Sequence, residues 1–75
     1  MRFIEMTGST LRDVVKEGEF DHGRLEAMGI NERSVIRINQ QGDLELRKAE
    51  GWDIIGGLIG DFEHRVKHAT GLDWA

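Results

Sequence analysis

Asp53-Ile54-Ile55-Gly56-Gly57-Leu58-Ile59-Gly60-Asp61-Phe62-Glu63-His64-Arg65-Val66-Lys67-His68-Ala69-Thr70 is the stretch whose reading decides the fold. Ile55, Leu58, Ile59, Phe62, Val66 and Ala69 recur at the spacing of one helical face, which predicts an amphipathic helix over residues 53–70. Asp61/Arg65 and Glu63/Lys67 are acid-before-base pairs four residues apart, and each adds a few tenths of a kcal/mol to a helix. Asp53 is available as the cap, Lys67 and His68 suit the negative end, and Gly71 supplies the stop. Three glycines inside such a helix cost about 1 kcal/mol each relative to alanine. Close approach of another backbone, within the sheet or from a second subunit, is the expected compensation. This makes Gly56, Gly57 and Gly60 candidate contact residues.

Working outward, residues 43–48 alternate Leu44 and Leu46 against Glu45 and Arg47, a strand with one wet face. Val35, Ile36 and Ile38 make residues 34–39 a second strand, and Gln40-Gln41-Gly42 joins the two as a hairpin. Residues 2–7 form a third strand, which Gly8 ends. Between the first strand and the hairpin, Thr10 with Asp13 predicts a helix start, Leu11, Val14 and Val15 its apolar stripe, and Gly18 its end. A second short helix is predicted from an Asp21 cap with a Phe20–Leu25 staple. It closes at Gly29 in the left-handed conformation, with Ile30 folded back on Leu25. The expected fold is a single α+β domain over residues 1–75, in the order β-α-α-β-β-α, with a three-stranded mainly antiparallel sheet under a long C-terminal helix.

Composition narrows the function classes. Ten basic against fourteen acidic residues give a net charge of −4, so bulk attraction to nucleic acid or anionic lipid is not expected. Zero cysteines remove disulfides and thiol chemistry. No apolar run long enough for a membrane span or a secretory leader is present, and a cytoplasmic location is expected. The glycines of 56–60 lack the lysine and hydroxyl of a phosphate loop, and Asp61 follows them. His64 and His68 are four apart and could share a metal, but no third ligand or glutamate accompanies them. Ser9 and Ser34 lie in no nucleophile elbow. No enzyme, cofactor or metal is expected.

Leu25-Glu26-Ala27-Met28-Gly29-Ile30-Asn31-Glu32-Arg33-Ser34-Val35-Ile36-Arg37-Ile38, with Gly42-Asp43-Leu44-Glu45-Leu46-Arg47-Lys48, resembles the helix, Gly-Ile turn and hairpin of the AbrB/MazE-type swapped-hairpin regulators and antitoxins. The resemblance covers residues 25–48 and implies an intertwined DNA-binding dimer. The basic strand expected upstream is replaced by acidic Lys16-Glu17-Gly18-Glu19-Phe20-Asp21. Two functions are therefore expected in competition. The first is a non-catalytic interaction protein that pairs with itself or another protein through Gly56, Gly57, Gly60 and Trp74. The second is a DNA-binding regulator using Arg33, Arg37, Arg47 and Lys48, with Arg12 and Lys16 on the same side.

Overall fold

The computed structural model describes residues 2–15 and 22–74, excepting the side chains of His22 and Arg24. The helix stop at Gly18, the cap at Asp21, the staple from Phe20 and the position of Lys16 lie outside the described residues. Four strands, β1 (Phe3–Thr7), β2 (Val35–Asn39), β3 (Asp43–Lys48) and β4 (Gly51–Gly57), form one antiparallel sheet in the order β1-β2-β3-β4. Among the described residues three helices, α1 (Gly8–Val14), α2 (His22–Ala27) and α3 (Phe62–Thr70), join the sheet in an α+β fold.

The largest departure from expectation is the 53–70 stretch. It is not one helix but strand β4, a short connection and helix α3. Two forces select the strand. The adjacent Ile54-Ile55 pair is stiff at χ1 and favours extended backbone, and Gly56-Gly57 removes helix propensity at the next turn. β3 also offers an open edge, and β4 fills it with pairs from Lys48↔Gly51 to Asp43↔Gly57. Asp53 therefore caps nothing; it sits in β4 and holds Lys48 at 2.8 Å. The register slips between Leu44 and Glu45, so Ile55 is the extra residue of a bulge. The sheet has four strands rather than three, and α3 has nine residues.

Elsewhere local signals decide. Gly29 has φ 82°, the Ile30 amide donates to the Leu25 carbonyl at 3.0 Å, and the Gly29 amide donates to Glu26 at 2.9 Å. These are the two bonds of a Schellman stop. α1 begins earlier than its sequence suggests: the cap is Thr7, whose hydroxyl accepts from the Thr10 amide, and it ends at Val15. The strand stops at Thr7, as expected from Gly8, and Gly8 itself opens the helix. A Cβ at Gly8 would lie 1.8 Å from the Asn31 carbonyl oxygen, so only glycine fits where this junction crosses the 31–34 turn.

The helices cover one face of the sheet. Ile4, Met6, Ile36, Ile38, Leu44 and Leu46 point into this layer and meet Leu11, Val14, Leu25, Ile30, Leu58 and Val66 in one buried cluster. Arg65 ties α3 down: its guanidinium donates to the Val14 carbonyl at 2.6 Å and the Ile59 carbonyl at 3.0 Å, and reaches Asp61 at 3.2 Å. The Val14 carbonyl ends α1, where a cation is electrostatically favoured.

Candidate functional site

Among the described residues the opposite face of the sheet carries no helix, and its side chains come from alternate residues of the same strands. The register lines up Glu5, Arg37, Glu45 and Ile54 across all four strands. Arg37 is the centre. Its guanidinium carbon lies 3.9 Å from the centroid of the Phe3 ring and 4.1 Å from that of Trp52. Its Nη2 donates to Glu45 Oε1 at 3.1 Å. Each ring presents its electron-rich face to the cation, so two cation–π contacts and one ion pair hold a single side chain. The Arg37 Nε is buried without a hydrogen-bond partner. Around this cluster Val35 is 36% and Ile54 75% exposed, while Arg47 faces Trp52 across the β3–β4 pair. Phe3, Trp52 and Ile54 are candidate-site residues that sequence reasoning did not assign to this face. The Glu50-Gly51 turn after an alternating strand was the signal that a further strand begins there.

The contact residues expected on a helix face are dispersed. Gly56 and Gly57 lie in β4 and Gly60 in the connection to α3, so these three glycines form no helical surface. Gly57 does serve backbone proximity, within the sheet: a Cβ there would lie 3.3 Å from the Gly42 carbonyl oxygen, and the Leu58 amide donates to that oxygen at 2.8 Å. Gly60, at φ 71°, makes the turn into α3. Trp74 packs half-buried against the core and donates from Nε1 to Glu63 at 3.0 Å, while Leu72 stays 51% exposed. Asp73 and Lys67, 2.9 Å apart, clasp this tail. The hydrogen bond from Lys67 holds the Asp73 carboxyl below its usual range, and the same bond raises the Lys67 ammonium. A shallow hollow of about 380 Å³ lies between this tail and β1, lined by Phe3, Glu5, Arg37 and Leu72.

Of the residues expected to meet DNA, Arg37 and Arg47 do share the uncovered face, on neighbouring strands. Arg37 is held by Glu45, and Lys48 by Asp53, whose hydrogen bond raises the lysine above its usual range. Arg33 is exposed in the turn before β2. Arg12 pairs with Glu26 at 3.5 Å. Among the described residues no group of three or more His, Asp or Glu stands close enough to hold a metal ion, and no helix is long and apolar enough to cross a membrane.

These features define a small α+β protein with a half-covered antiparallel sheet. No protein family, curated protein or solved structure matches the chain.

Proposed function

We propose that this chain is a small non-catalytic interaction protein, and that it docks a second copy of itself or another protein through the uncovered face of its sheet. The observation that carries this reading is the Phe3–Arg37–Trp52 stack beside the exposed Ile54. Arginine and aromatic residues are the side chains enriched at interface centres, and here they are already fixed in one geometry, which lowers the entropy cost of docking. The face fits better than the β4 edge. β4 is an edge strand, but its bulge and Gly56-Gly57 break the regular row of backbone groups that strand addition needs. The row Glu5, Arg37, Glu45 alternates in sign, so two copies related by a two-fold axis can set acid against base.

The DNA-binding alternative has less support. Arg37 and Lys48 are each engaged by a carboxylate, and the β2–β3 hairpin is flanked by β1 and β4 of its own chain. Light scattering on eluting protein over a range of concentrations tests the reading. The wild type is expected to run as a dimer and Ile54→Asp as a folded monomer. A wild type that stays monomeric at every concentration removes self-association. A partner that binds wild type and Ile54→Asp equally removes the sheet face.

A further inference from the structure

Away from the sheet face, the exposed side of α3 carries His64 and His68, one helical turn apart. Their rings are nearly parallel, with centroids 6.3 Å apart and planes inclined by 20°. Both side chains are exposed, and among the described residues neither imidazole hydrogen-bonds to another group. We propose that His64 and His68 form a two-point site for a borderline transition-metal dication such as zinc, its remaining coordination positions open to water.

Three physical points support the assignment. With metal–nitrogen bonds of about 2.0–2.1 Å, two imidazoles on one ion stand with ring centres roughly 5 Å apart. An ion held by both rings must lie in both ring planes, so the stacked pair has to turn its rings to bind it, a change that breaks no hydrogen bond among the described residues. Helical spacing thus supplies most of the organisation before the ion arrives. His68 lies in the last turn of α3, where the unsatisfied carbonyls favour positive charge, and His64 lies one turn before it. Finally, the adjoining hollow is lined by Glu63, His64, Lys67 and His68. Lys67 is drawn toward Asp73 at 2.9 Å and stands 3.7 Å from Glu63, so two carboxylates offset its one charge and the ion meets a locally acidic surface. Imidazole pairs select zinc, nickel and copper over magnesium, which demands oxygen ligands.

Zinc chloride titrated into the tag-free full-length chain, followed by the imidazole NMR signals and by calorimetry, tests the site. Saturable movement of the His64 and His68 signals with zinc, and none with magnesium, is expected. Zinc affinity should fall at least tenfold in His64→Gln/His68→Gln and stay within twofold in His22→Gln. Unmoved His64 and His68 signals, or wild-type zinc affinity in the double variant, overturns the proposal. Both positions are exposed, so circular dichroism of the double variant should match the wild type, and the wild-type signals alone decide the matter if it does not.

Discussion

The two faces of the sheet are built from alternate residues of the same strands, yet they satisfy those residues in opposite ways. On the covered face Ile38 lies between Ile4 and Leu44, with none of the three more than 1% exposed. On the other face Arg37 lies one residue away between Glu5 and Glu45, held by rings and a carboxylate instead of by a packed layer. Period-two alternation sorts the side chains to a face, but only the helices decide which face becomes interior. The difference teaches that one side of this molecule is completed by its own chain, while the other is kept in order by a single arginine and its three neighbours.

The strongest way to break that comparison is to make matched cuts on each side. Ile38→Ala should cost about 2–5 kcal/mol, because the cavity lies in the middle of the buried layer. That is a large part of the whole stability of a domain this small, so urea unfolding should begin at or near zero denaturant. Ile54→Ala should change the stability of the isolated chain by less than about 0.5 kcal/mol. Comparable losses at the two positions would mean that the uncovered face is structural rather than free for docking.

Next in size is Asn39, the buried polar residue where the β2–β3 hairpin turns. Its Oδ1 accepts from the Gln41 and Asp43 amides at 2.9 and 3.0 Å, and its Nδ2 donates to Asp43 at 3.2 Å. Asn39→Ala strands those two amides and should cost about 1–3 kcal/mol. Faster hydrogen exchange at Gln41 and Asp43, with β1 amides little changed, would locate the damage at the turn. Arg37→Met should be milder, about 1 kcal/mol, since the methionine stem still fills the slot between Phe3 and Trp52 while the charge is lost. The Trp52 indole resonance should move. Stability unchanged in this variant would show that the stack orients the face without holding it together.

How much of this was readable beforehand depends on how far apart the deciding residues lie. β1, the β2–β3 hairpin, the Gly29-Ile30 stop and the α3 end at Gly71 rest on neighbours within a few residues, and all were legible. β4 was not. Ile55, Leu58, Ile59 and Phe62 satisfy a helical period, while Trp52 and Ile54 satisfy a strand period, and the tie is broken by the open edge of β3, which no local pattern contains. The need for glycine at position 8 was hidden for the same reason, since its constraint is the Asn31 carbonyl, far along the chain. The sheet-face cluster joins residues 3, 37, 45 and 52, which only the register brings together. Arg37 and Arg47 were recognised as sharing a face, but not that aromatic rings would occupy it with them.

The smallest expected effect concerns the C-terminal tail, and it separates a packed end from a free one. Lys67 lowers the acidity range of Asp73 first through its hydrogen bond, then the Trp74 amide through its own. A carboxyl held below its unfolded range contributes stability that is present above that unfolded range and disappears as pH falls through the lower folded value. Lys67 is raised by the same contact, so its contribution is full below the ordinary lysine range and is lost as pH rises through the higher folded value. The clasp should therefore be closed throughout the neutral range and open in strong acid and in strong alkali. Asp73 is exposed and Lys67 only half-buried, so the opening should be local and leave global unfolding nearly untouched. In a Trp52→Phe background, where Trp74 is the remaining indole, its emission should shift toward that of a water-exposed ring below the ordinary aspartate range. Asp73→Asn should show the opened emission already at neutral pH and no acid step. An emission profile that Asp73→Asn does not alter would mean that the Glu63 contact and the core hold the tail without the clasp.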